Sequence, residues 1–191
     1  AGLGASLAIF YNLPMFYVQL FAFSGGILAV LCVSMVASRS RNLDPILVLV
    51  LSGIAIGSLL GAGISLLKIL ADPFTQLPSI TFWLLGSFTA VGVKELSQLT
   101  PILILGILPL FLLRWRLNLL ALEEDEAKSL GIPIQRTRYI LIIFTTLCTA
   151  SAVSITGIIG WVGLLVPHIA RLLVGANFIL LLPTSLSLIH I

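Results

Sequence analysis

Uninterrupted apolar runs limit what this chain can fold into more than any other feature. Residues 15–37, 46–70, 100–113 and 139–155 contain no Asp, Glu or His, and their one basic residue is Lys68, near the end of the second run. Inside lipid every backbone polar group has to be satisfied by the protein itself, and about 20 helical residues cross the hydrocarbon core, so such runs read as transmembrane helices. The chain is 59% hydrophobic and 9% charged, against roughly a quarter charged in soluble proteins. It is expected to be an all-α, polytopic membrane bundle, and 191 residues leave room for about five or six crossings.

Gly2 to Tyr11 looks like the end of a helix, closed by Asn12 and Pro14. The first complete span is expected from Met15 to Ala37, followed by the short basic loop S-R-S-R-N-L-D-P, in which Pro45 opens the second span, Ile46 to Leu70. In that span Gly53, Gly57 and Gly61 recur every four residues and leave one helix stripe bare, a pattern that lets another backbone approach closely. Asp72, Pro73 and Pro78 break the pattern before S-I-T-F-W-L-L-G-S-F, a run too short to cross and read as a re-entrant or interfacial helix with Trp83 near the headgroups. A third span is expected from Thr100 to Leu113, a fourth from Tyr139 to Ile155, and a fifth in G-I-I-G-W-V-G-L-L-V-P-H-I-A-R-L-L. In the fifth, Gly157, Gly160 and Gly163 are spaced for packing and Pro167 predicts a kink or a start below the surface. All of 1–191 reads as a single transmembrane domain. It is expected to be incomplete at both ends, since A-G-L-G-A-S-L-A-I-F opens without an initiator Met or basic n-region and T-S-L-S-L-I-H-I stops inside an apolar run.

Between these runs lies one concentrated polar stretch, Arg114 to Arg138, which holds nine of the seventeen Asp, Glu, Lys and Arg residues. Glu123, Glu124, Asp125 and Glu126 suit the positive end of a short helix, Lys128 follows Glu124 by one helical turn, and Gly131 and Pro133 end it. Counting basic residues by side puts Arg39, Arg41, Arg114, Arg116, Lys128, Arg136, Arg138 and Arg171 together, against Lys68 and Lys94 on the other face. Since Lys and Arg accumulate inside, the segment 117–138 is expected in the cytoplasm, as a docking element for a soluble partner. The loop containing Asp72, Trp83 and Lys94 then faces outward.

The chemistry that is missing narrows the function. There is no phosphate loop, no H-E-x-x-H and no nucleophile elbow, so no catalytic residue, cofactor or metal site is expected. Cys32 and Cys148 sit in apolar runs as small hydrophobes. The basic residues flank spans and form no patch with interleaved aromatics, so nucleic acid is not an expected partner. Gradient-driven transporters need intramembrane carboxylates or histidines; the spans before Gly157 carry none, and His168 beside Pro167 suits a locally hydrogen-bonded helix end. Uphill transport would therefore draw on a partner's energy. A gradient-driven transporter or channel is the alternative.

L-N-L-L-A-L-E-E-D-E-A-K-S-L-G-I (Leu117 to Ile132) and G-I-I-G-W-V-G-L-L-V-P-H-I-A-R-L-L-V-G (Gly157 to Gly175) closely resemble the FecCD family of ABC importer permeases. W-L-L-G-S-F at Trp83 to Phe88 and L-V-L-S-G-I-A at Leu49 to Ala55 match it in the same order. The resemblance implies part of a ten-helix membrane subunit, from the end of its third helix to the start of its ninth. The subunit would belong to a type II importer for ferric siderophores, haem or cobalamin in a bacterial or archaeal plasma (inner) membrane. It implies as partners two ABC ATPase subunits, an extracytoplasmic substrate-binding protein, a second permease subunit, membrane lipid and a metal-chelate substrate. It further implies that Leu122, Glu123, Glu124, Asp125, Glu126, Ala127, Lys128, Leu130 and Gly131 belong to the coupling helix seated in the ATPase, and that Ser38, Arg39 and Ser40 border the cytoplasmic gate. One stretch departs from the family's pattern: after Gly175 the apolar A-N-F-I-L-L-L-P stands where a polar, basic loop is usual, and the last dozen residues read as foreign to it.

Overall fold

The computed structural model describes residues 1–39, 45–89, 91–119, 134–160 and 162–188. Every regular element among them is a helix: α1 (Gly2–Phe10), α2 (Met15–Arg39), α3 (Pro45–Leu70), α4 (Gln76–Leu85), α5 (Val93–Leu112), α6 (Arg114–Leu119), α7 (Ile134–Thr156), α8 (Val162–Val174) and α9 (Phe178–Ser187), with a brief 3₁₀ end to α9. Four of them, at Met15–Arg39, Leu47–Leu70, Val93–Leu112 and Arg136–Thr156, are long and apolar enough to cross a membrane. Helix α4, at 10 residues, reaches only about 15 Å, half the hydrocarbon thickness.

The structure differs from the sequence reading in several places, and the fourth span, expected from Tyr139, lies in a helix that starts at Ile134. The third span begins at Val93, not Thr100, and carries Lys94 and Glu95 in its first turn; charges that looked like a loop are tolerated because a first turn can sit in the headgroups while the helix runs on into lipid. In the fifth apolar run the described helix α8 starts at Val162, so Gly157 and Gly160 precede it and Gly163 lies in its first turn. The stretch after Gly175 is an ordered helix: the Asn177 side chain accepts a hydrogen bond from the Ile179 backbone N–H and caps α9.

The described residues form two units. The first comprises Ala1–Leu99 and Thr149–Ile159. Its core is made of small side chains, Ala5, Ala8 and Ala22 with Val18, all buried, against which Ile9, Leu13 and Trp83 pack. A Cβ placed on Gly4 would collide with the Phe21 carbonyl oxygen, so α1 and α2 touch backbone to backbone. Lipid offers apolar groups as favourable a home as the protein does, and close backbone approach through small residues supplies the attraction that apolar burial cannot.

The second unit comprises Thr100–Cys148 and Gly160–Ile191. Here α5 and α7 meet where Gly106 lies against the Cys148 side chain, with the Phe144 carbonyl oxygen 3.3 Å from the position a Gly106 Cβ would take. Helix α9 packs on α8 and on α6. Pro101, Pro109, Pro167 and Pro183 all lie inside helices. A transmembrane helix tolerates this when neighbouring groups satisfy the freed carbonyls.

Candidate functional site

In the first unit the ends of α1, α4 and α7 converge on a groove of about 720 Å³ lined by residues that include Asn12, Phe82, Trp83, Ser87, Thr89 and Thr156. Two glycines make the convergence possible. Gly86 has φ 69° and Gly157 has φ 70°, values that L side chains rarely adopt. A Cβ on Gly86 would sit 2.6 Å from the Ile158 carbonyl oxygen, and one on Gly157 would strike the Trp83 carbonyl. The Ser87 backbone N–H donates to the Thr156 carbonyl at 2.7 Å, which closes the joint.

The start of α4 is fixed by its own polar residues. One Asp72 carboxylate oxygen accepts from the Thr75 hydroxyl at 2.6 Å, the Thr75 N–H at 2.8 Å and the Phe74 N–H at 3.2 Å. The Thr75 hydroxyl, and behind it these two backbone N–H groups, hold the carboxyl below the usual carboxylate range despite an opposing contribution from desolvation. Gln76 bridges, accepting from the Asp72 N–H at 3.0 Å and donating to the Phe10 carbonyl at 2.8 Å, so the groove's rim is tied to the end of α1. The Trp83 indole N–H is buried with no hydrogen-bond partner among the described residues. Spacing gave no hint of the paired glycines, because Gly86 and Gly157 lie in separate motifs.

The residues expected to couple to an ATPase, Leu122, Glu123, Glu124, Asp125, Glu126, Ala127, Lys128, Leu130 and Gly131, lie outside the described residues, as does Ser40 of the expected gate. Ser38 and Arg39 are the last two residues of α2, and the Ser38 hydroxyl donates to the Met35 carbonyl at 2.9 Å. At Gly53, Gly57, Gly61, Gly160 and Gly163, unlike Gly157, an added Cβ would meet nothing within 4 Å among the described residues. His168 is exposed on α8. In the second unit Arg114 lies over the Phe111 ring, 5.0 Å from its centroid, at the junction of α5 and α6, where a cation suits the membrane boundary. Among the described residues no three His, Cys, Asp or Glu side chains gather in a way that could hold a metal ion.

The molybdate import system permease protein MolB of Haemophilus influenzae is 40% identical over 186 residues, covering 96% of this chain and 54% of that protein. The cobalamin import system permease protein BtuC of Halobacterium salinarum is 34% identical over 188 residues, covering 97% and 50%. The Fe(3+)-citrate import system permease protein YfmE of Bacillus subtilis is 34% identical over 183 residues, covering 95% and 53%. The chain thus spans about half the length of the curated relatives it matches. A solved structure, described as an inward-facing conformation of an ABC transporter of the metal-chelate type, superposes with a TM-score of 0.91 at 36% identity, covering 98% of this chain and 59% of that one. The FecCD transport family matches residues 1–188, a range that takes in the apolar stretch after Gly175. With apolar span interiors, a helical fold and a family match of that extent, this chain belongs to the FecCD transport family, whose relatives here are permease subunits of ABC importers.

Proposed function

We propose that this chain is the central part of a permease subunit that forms the translocation pathway of an ATP-driven importer for metal chelates of the siderophore, haem or cobalamin class. It would sit in the plasma membrane of a bacterium or archaeon, pair with a second permease subunit, receive cargo from an extracytoplasmic binding protein and take its energy from separate ATPase subunits. The observation that carries this reading is the family match over 1–188 on spans whose apolar interiors hold no carboxylate. The apolar interiors of the spans before Gly157 offer no carboxylate or histidine to bind or relay an ion, which favours energy that enters from outside the membrane, and the acidic stretch from Glu123 to Glu126 is the feature suited to receive it. A pathway of aliphatic, Ser, Thr and Gly groups also suits cargo that must be let go: a strong ligand in the wall would compete for the metal. Ser38, Arg39 and Ser40, at the cytoplasmic end of the first full span, are proposed to border the exit.

The 40% identity to a protein named for molybdate import favours one second reading of the cargo, an oxyanion in place of a chelate, with the same machinery. The test of the common part is co-purification of the full-length permease with its ATPase, and substrate-stimulated ATP hydrolysis after Glu124→Lys with Glu126→Lys. Charge reversal should weaken ATPase retention or abolish stimulation. Unchanged assembly and unchanged stimulation would sink the coupling role.

A further inference from the structure

The second unit holds an apolar groove with arginines toward one end. The groove, of about 340 Å³, is lined by residues that include Ile107, Leu110, Leu117, Leu141, Pro167 and Phe178. Its two hydroxyl side chains are spent on their own helices: Thr145 donates to the Leu141 carbonyl at 2.7 Å and Ser185 to the Leu181 carbonyl at 2.8 Å. The walls therefore present hydrocarbon and demand nothing polar of an occupant.

Helix periodicity puts one arginine on each of three lining faces, since residues three or four apart share a face. Arg114 follows Leu110 by four and precedes Leu117 by three, where the Leu117 N–H donates to the Leu113 carbonyl at 3.2 Å and carries α5 on into α6. Arg138 precedes Leu141 by three on α7, and Arg171 follows Pro167 by four on α8. The three lie toward the same end of the groove. Gly106 touches Cys148 and, further along, Leu117 shares the groove with Leu141, so α5–α6 runs antiparallel to α7 and Arg114 comes level with Arg138. The Asn118 amide nitrogen donates to the Asn177 side-chain oxygen at 2.9 Å and its oxygen accepts from the Phe178 N–H at 2.8 Å, an amide pair that ties α6 to the start of α9. Arg171, in the last turn of α8, accepts at its carbonyl from the Gly175 N–H at 2.9 Å, just ahead of that start.

The described residues of this unit contain no Asp or Glu to neutralise these arginines. Stacking of Arg114 on the Phe111 ring engages the flat face of the guanidinium and leaves its in-plane N–H groups for an anion. We propose that the groove and its arginines form one site for an anionic phospholipid, with an acyl chain along the groove and the phosphate at Arg114, Arg138 and Arg171. Each half of the site disfavours simpler occupants. Free phosphate gains nothing from hydrocarbon walls, an uncharged lipid gains nothing from the arginines, and an apolar helix would enclose guanidinium groups with no counter-charge.

The test titrates the full-length permease, stripped of lipid in detergent, with dioleoyl phosphatidylglycerol or dioleoyl phosphatidylcholine, and counts bound lipid by native mass spectrometry. Glycerol phosphate is the competitor that lacks a chain. Two charge-matched variants are compared. Arg114→Gln with Arg138→Gln removes two groove arginines, while Arg116→Gln with Arg136→Gln removes two that lie two residues away, on other faces of the same helices. The expected result is retention of phosphatidylglycerol over phosphatidylcholine, an affinity lowered about tenfold or more in the first variant, and parental affinity in the second. Glycerol phosphate should not displace the lipid. Equal retention of both lipids by the parent, a comparison that needs no variant to fold, overturns the proposal. Unchanged affinity in the first variant overturns it too, as does an equal loss in both, which would mean that bulk charge holds the lipid. Displacement by glycerol phosphate would reveal a phosphate site without a chain, with the same consequence. Ser185→Phe fills the groove, and undiminished phosphatidylglycerol affinity in that folded variant would put the chain elsewhere and sink the site.

Discussion

Helices α1 and α3 carry the same kind of pattern and use it differently. In α1, Gly4 and Ala8 are four residues apart; Gly4 meets the α2 backbone at Phe21 and Ala8 is fully buried. In α3, Gly53, Gly57 and Gly61 repeat at the same spacing with nothing within 4 Å among the described residues, while Ile54 and Leu59 nearby are 61% and 71% exposed. A small-residue stripe therefore says that a close approach is permitted, not that one is made inside this chain. The four candidate spans bury only 6 to 22% of their most apolar windows. Most of their outer surface is left for lipid, for the remaining half of the relatives' length, or for a second subunit.

The largest effect should come from filling the occupied stripe. Gly4→Val would drive a branched side chain into the Phe21 carbonyl, and since the obstacle is backbone, no rotamer change relieves it. The expected loss is about 1–3 kcal/mol or more, measured as a lowered unfolding midpoint in detergent. A variant as stable as the parent would mean that α1 and α2 are not in backbone contact, and the contrast with α3 would collapse.

An intermediate effect is expected where a glycine faces a side chain instead. Gly106→Ala would crowd the Cys148 sulfur, with the Phe144 carbonyl only 3.3 Å from the new methyl. Cys148→Ala should recover most of that loss, with a coupling energy of about 1 kcal/mol in a double-mutant cycle. The remainder belongs to Phe144. Additive effects would place the two residues out of contact.

The difference between these sites follows what spacing can and cannot reveal. The spans were readable because hydrocarbon thickness fixes their length and composition, and α4 because ten residues cannot cross. Gly4 with Ala8 was equally open to reading, as a small-xxx-small pair in A-G-L-G-A-S-L-A. The start of α5 was hidden by Lys94 and Glu95, which look like a loop until a helix is known to run through them. The joint between Gly86 and Gly157, and the amide pair of Asn118 and Asn177, were hidden for another reason. Each links residues about 60 or 70 apart in sequence, and no periodicity of one helix encodes where another helix will lie.

The smallest effect on the fold should come from Gly57→Val. With no described neighbour to displace and Val no worse than Gly in a helix, unfolding of the full-length permease should change by no more than about 0.5 kcal/mol. Assembly is where the change should appear. If the stripe is kept bare for a second subunit, a row of missing side chains gives that partner's backbone its approach, and one branched residue in the middle holds the two helices apart. The expected outcome is an unaltered melting midpoint with a smaller share of assembled complex by native mass spectrometry. A midpoint lowered as far as by Gly4→Val would show that α3 is packed within its own chain. An unaltered midpoint with unaltered assembly would show that Gly57 faces lipid, and the stripe on α3 would then be a permitted approach that nothing takes up.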